Sequence, residues 1–129
     1  MSESFESQRA AKPVGAFPHA KRVGDLLFLS GIGSRDPATN QIADEFAAQC
    51  RAAFENVRLV LEDSGARWID IVDVTVFLTN MKKDFALYNK LYAEYFAGDG
   101  KPNPTRTTVE VTALPTPIAI ELKVIAAIQ

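Results

Sequence analysis

Residues 103–125, NPTRTTVEVTALPTPIAIELKVI, hold two extended segments divided by a double-proline turn, and each segment carries a charge. In a strand, successive side chains point to opposite faces. Along the second segment, about 118–128, Ile118, Ile120, Leu122, Val124, Ala126 and Ile128 therefore form one continuous apolar face, which predicts a strand lying under helices. Ala119, Glu121, Lys123 and Ile125 point the other way. In the first segment, about 106–112, the apolar residues place Thr107, Val109 and Val111 on the helix side, with Arg106, Thr108 and Glu110 opposite. On this reading Arg106 and Glu121 share the face that the helices leave uncovered. Because that face mixes Ala, Ile, Val and Phe77 with charges, it implies a partner surface, and a second copy of the chain is the economical partner. Periodicity alone leaves open a structural ion pair or solvated charges at a strand end.

Upstream, the period changes twice. Val72, Val74, Val76 and Leu78 in RWIDIVDVTVFLT (67–79) alternate with Asp73, Thr75 and Phe77, which predicts another strand. Phe46, Cys50, Ala53, Phe54, Val57, Val60 and Leu61 recur every three or four residues, one face of a helix with Asp44 as N-cap and Gly65 as stop. Cys50 on that face reads as inert packing. A second helix carries Phe85, Tyr88, Leu91, Tyr92, Tyr95 and Phe96, with Asp84 as its cap, and ends at GDGKPNP. HAKRVGDLLFLSG (19–31) reads as a hairpin turning at Gly24-Asp25. GIGSRDPATNQ is a loop with room for a short strand. Residues 1–13 read as a flexible polar arm and 14–129 as a single domain. Two helices and five or six strands predict an α+β fold, a mixed sheet with both helices packed on one face.

Composition narrows the chemistry. A chain of 129 residues suits one domain with a real core. A net charge of −2 without a basic cluster argues against nucleic acid as a partner. No apolar run reaches the roughly 18 residues of a membrane span, and the polar start does not resemble a signal peptide. One cysteine forms no internal disulfide, which fits a cytoplasmic location. A single His and a single Cys do not make the usual zinc sites. No G-x-G-x-x-G or P-loop is present. The expectation is a reaction run without cofactor or metal, by Arg, Glu, Ser, backbone groups and water.

The combination of SG at 30–31, PTRTTVEV, and then LP followed by IELKVIA resembles the reactive-intermediate deaminase family (Rid, also called YjgF), from about Phe17 onward. The resemblance implies a chorismate-mutase-like fold, a homotrimer with inter-subunit clefts, and cofactor-free hydrolysis of enamines and imines to a carbonyl compound and ammonia. FPHAKRVGDLLFLSGIGSRDP and NPTRTTVEVTALP are similar to the 2-aminomuconate deaminases of aromatic-compound degradation, which release 4-oxalocrotonate and ammonia. Two positions depart from the wider family pattern. Thr108 stands where many members have cysteine, and Phe17 where an aromatic tyrosine is usual. Both fit a specialised substrate.

Within this frame Arg106 and Glu121 are the expected catalytic pair. A guanidinium offers two parallel donors to the carboxylate of an imino acid. A glutamate can deprotonate a water aimed at the C=N carbon and return the proton to the leaving amine. Ser30 and Gly31 end a strand where a backbone N–H can approach the substrate closely. Phe17, Asn89 and Thr108 are expected pocket residues by the resemblance. A dicarboxylate needs a second cation, for which Arg35 leads, ahead of His19, Lys21 and Arg22. Two alternatives accompany this reading: a general 2-iminobutanoate/2-iminopropanoate deaminase, and a non-catalytic regulatory trimer that binds a small ligand.

Overall fold

The computed structural model describes residues 2–129. Six strands form one sheet: β1 (Ser2–Phe5), β2 (Ala20–Val23), β3 (Leu26–Leu29), β4 (Ile71–Leu78), β5 (Thr105–Glu110) and β6 (Ile120–Ala127). Two helices, α1 (Phe46–Asp63) and α2 (Met81–Phe96), cover one face of it. The spatial order is β1-β2-β3-β6-β4-β5, so the last strand in sequence lies between β3 and β4. Every neighbouring pair is antiparallel except β4 with β5. A parallel pair needs a crossover, and α2 supplies it. The architecture is the expected α+β sheet with two helices on one face.

The core sits between sheet and helices. Val74, Val76 and Leu78 of β4 and Ile120, Leu122, Val124 and Ala126 of β6 are fully buried, with Phe54, Val57 and Leu61 of α1 and Tyr88 and Phe96 of α2 against them. Among the described residues, no helix is long and apolar enough to cross a membrane.

Several local expectations shift. The cap of α1 is Glu45 rather than Asp44, and it makes no side-chain capping bond. The stop is as read: Gly65 takes φ +86°, while its N–H bonds to the Glu62 carbonyl and the Ala66 N–H to that of Leu61. That is a left-handed helix ending, natural for glycine. Asp84 does not cap α2. Asn80 does, its Oδ1 accepting from the Lys83 N–H at 3.1 Å, and Asp84 is buried one turn in. Val72 leaves the apolar face of β4 because a bulge between Ile71 and Asp73 shifts the register, so Ile71 is buried and Val72 is exposed.

The largest difference concerns the segment read as a flexible arm, residues 1–13: Met1 lies outside the described residues, and residues 2–11 are tied to the body. Ser2–Phe5 pairs with β2 as an edge strand. The next residues are pinned to the body: the Ser7 N–H donates to His19 Nδ1 at 2.9 Å and Ser7 Oγ to Asp63 at 2.6 Å. The Ala11 N–H donates to Asn56 Oδ1 at 2.9 Å. Polar composition hid this, because the partners are hydrogen-bonding groups far away in sequence rather than an apolar face.

Candidate active site

The structure arranges the expected site residues in two groups on opposite faces of the sheet. The first surrounds Glu121. A pocket there is lined by Phe17, Ser30, Gly31 and Arg35, together with Ala10–Val14 of the N-terminal segment. Glu121 alternates with buried Ile120 and Leu122 and so points away from the helices, paired across β4 with Phe77. Burial without a compensating cation pushes its carboxyl pKa up. Gly31 is packed so closely that a Cβ built on it would lie 2.5 Å from Glu121 Oε2. Only glycine leaves the carboxylate where it is. Ser30 Oγ donates to the Pro18 carbonyl at 2.7 Å, which ties this wall to the turn after Phe17.

Arg35 lines the same pocket, with Nη1 donating to the Asn40 carbonyl of its own loop at 2.9 Å. His19 is buried, with both ring nitrogens bonded within the fold. Its Nδ1 accepts from Ser7, so Nε2 carries the proton and donates to the Ala11 carbonyl at 2.8 Å. Arg22 folds back onto the Gly24 carbonyl, and Lys21 is exposed on β2.

The second group surrounds Arg106. Here the face assignment made from apolarity fails. In the parallel ladder Arg106 pairs with Val74 and Thr108 with Val76, both buried under the helices. Arg106 and Thr108 therefore lie on the helix side, and Val109 is exposed on the other. The cause is that β5 is an edge strand covered by aromatic polar residues of α2 rather than by an aliphatic core. The Arg106 guanidinium lies 4.7 Å from the Tyr92 ring centroid and 5.3 Å from that of Tyr88. Arg106 Nη1 donates to Asn89 Oδ1 at 2.8 Å, and the Tyr88 and Thr108 hydroxyls are 2.9 Å apart. Burial raises the pKa of both phenols, that of Tyr92 to about 12.

Within one chain, then, Arg106, Asn89 and Thr108 are together, as are Glu121, Gly31, Ser30, Phe17 and Arg35, but the two groups do not meet. Sequence reasoning missed Tyr88 and Tyr92 as site residues because it counted them only as apolar positions. Their i, i+4 spacing opposite a strand arginine was the available signal. Cys50 is buried, and burial pushes its thiol pKa up to about 12, as inert packing requires. No cluster of three or more His, Cys, Asp or Glu side chains fit for a metal occurs among the described residues.

Known proteins are similar to this chain over nearly its whole length. The family profile described as Endoribonuclease L-PSP matches residues 7–128. A RutC family protein of Pyrococcus horikoshii is 39% identical over 127 residues, covering 98% of each chain. A 2-iminobutanoate/2-iminopropanoate deaminase of Salmonella typhimurium is 33% identical over 126 residues, again 98% of each. The solved structure of a protein of the conserved Rid family from Yersinia pestis superposes with a TM-score of 0.91 at 31% identity, covering 99% of this chain and 100% of that one.

Proposed function

This chain belongs to the Rid (Endoribonuclease L-PSP) family, and from that premise we propose that it hydrolyses small 2-imino and enamine acids to 2-oxo acids and ammonia. The observation that carries this is Glu121, a half-buried carboxylate on a pocket wall whose pKa burial raises, placed as a general base and proton carrier. Glu121 takes a proton from water as the oxygen attacks the C=N carbon and passes it to the nitrogen, giving the carbinolamine. Glu121 then takes the carbinolamine hydroxyl proton and delivers it to the amine as the C–N bond breaks, giving the oxo acid and ammonia. Arg106 holds the substrate carboxylate and so orients the reacting carbon.

Relatives named 2-iminobutanoate/2-iminopropanoate deaminase support that substrate class above 2-aminomuconate. The dicarboxylate reading keeps one specific support, Arg35 on the same wall as Glu121. A ribonuclease role, suggested by the family's description, fits poorly with a net charge of −2.

The two half-sites imply assembly. A carboxylate clamp and a base on opposite faces serve one substrate only if different copies contribute them. Such a head-to-tail contact closes as a ring, and we take that ring to be a homotrimer on the family resemblance. The half-apolar open face, with Leu26 and Val109 exposed and Phe28, Phe77 and Ile125 half-buried, supplies the surface.

The test generates 2-iminobutanoate in place with an amino-acid oxidase and follows its competition with semicarbazide, alongside a spectrophotometric assay on fresh 2-aminomuconate. Faster loss of the imine than in buffer supports the reading. No acceleration with either compound overturns it, and saturable oxo-acid binding without turnover would point to a regulatory trimer.

A further inference from the structure

Arg106 stands at the edge of the sheet, where a long flexible side chain would ordinarily sample many rotamers. Three contacts from α2 restrict it. The rings of Tyr88 and Tyr92 lie together on one side of the guanidinium, their centroids 5.3 and 4.7 Å from it, and Asn89 takes one Nη1 hydrogen at 2.8 Å. The rings are one helical turn apart, with centroids 5.8 Å from each other and planes at 54°. Tyr88 is itself held, because its hydroxyl meets Thr108 Oγ1, two residues along the same face of β5 as Arg106. Helix and strand are thus joined through a loop of contacts running Arg106, Tyr88, Thr108 and back along the backbone.

We propose that Tyr88 and Tyr92 are positioning residues that fix the plane of the Arg106 guanidinium, and that Thr108 acts by locking Tyr88 rather than by touching the ligand. The proposal rests on the reading that Arg106 holds the substrate carboxylate. A guanidinium has five N–H donors in one plane, and Asn89 engages one. Two parallel donors among the other four match a carboxylate only if that plane is set. Aromatic faces set a plane, whereas an acidic partner would neutralise the charge the ligand needs. This also accounts for the hydroxyl at position 108. A threonine there reaches the Tyr88 phenol, and the two residues form a pair tuned to each other rather than two separate pocket walls.

The experiment measures binding of 2-oxobutanoate and of its neutral methyl ester to the full chain by titration calorimetry. It compares Tyr92→Leu, Tyr92→Phe, Thr108→Val, Thr108→Ser and Arg106→Ala, with the melting temperature recorded for each. Tyr92→Leu is expected to weaken the acid about tenfold, within the range of a desolvated cation–π contact, and the ester by less than about twofold. Tyr92→Phe, which keeps the ring face, should recover most of that loss. Thr108→Val should weaken the acid by about threefold and Thr108→Ser should restore it. Equal losses for acid and ester in the Leu and Val variants would mean a merely structural role and overturn the proposal. So would acid affinity unchanged in both. If Arg106→Ala leaves acid binding intact, the clamp reading fails first and the proposal with it, whereas loss in Arg106→Ala alone rejects only the proposal. Thr108→Val, at a half-buried position, decides the matter if Tyr92→Leu does not fold.

Discussion

Among the glycines, Gly31 leaves the least room for a side chain, and what fills that room is Glu121. A methyl group at position 31 would meet a carboxylate at the end of a flexible side chain, and that end can swing aside cheaply. Gly31→Ala should therefore leave the melting temperature within a degree or two. Displacing the base by even an ångström should lower kcat by roughly tenfold or more, read from steady-state kinetics. Glu121→Gln makes the complementary case. Turnover should fall on the order of 10²-fold while oxo-acid affinity persists. Because burial raises the folded-state pKa of Glu121, the folded protein binds that proton more tightly than the unfolded chain does. The resulting stability is present at low pH and is lost as pH rises through the raised value. At neutral pH the Gln variant should melt higher than the parent, and the difference should vanish in acid. Activity of the parent should move oppositely, falling as Glu121 becomes protonated. Arg106 and Glu121 were legible in the sequence as charges set into apolar runs. Their relative placement was not, since a strand bounded by tyrosines buries its polar side and presents its valine outward.

Elements were legible wherever one face is aliphatic. Both helices, β4 and β6 follow from apolar spacing at 3.6 or 2 residues, and the hairpin from its Gly24-Asp25 turn. Where a hydrogen bond or a backbone twist decides, the pattern gave less. The bulge at Val72 reverses one side chain without changing composition, and Ser2–Phe5 joins the sheet through backbone pairing that SESF does not advertise. The end of α1 was readable because glycine has one strong reason to stand there. Gly65 sits at φ +86°, so Gly65→Ala should cost about 1 kcal/mol, measurable as a shift in the denaturant midpoint with the slope unchanged. Asn80→Ala should cost about as much by removing the cap of α2. Since α2 carries Tyr88, Asn89 and Tyr92, that variant should also weaken carboxylate binding, which Gly65→Ala should leave alone.

For the molecule as a whole, the separation of the two half-sites makes a quantitative demand. If copies complete each other, Arg106→Ala and Glu121→Ala are each inactive alone yet complement when unfolded together and refolded as a mixture. In an equimolar random ring a junction is intact when one copy keeps its arginine and the next its glutamate, so about a quarter of parental activity should return. A mixture as dead as its components would overturn the shared site. The sheet order has another consequence, which concerns how the protein is made. β6 is the last strand in sequence and lies between β3 and β4. While a ribosome is still building the chain, Leu27 and Leu29 on one side and Val74, Val76 and Leu78 on the other have no strand to join them. Nothing before Ile120 can join the two halves of the sheet, so β3, paired only with β2, and β4, paired only with β5, each keep one edge open until β6 emerges. Folding becomes a single late event dominated by distant contacts, slow relative to helical chains of this size. A nascent chain in that condition is a natural client for whatever shields exposed strands near the exit tunnel.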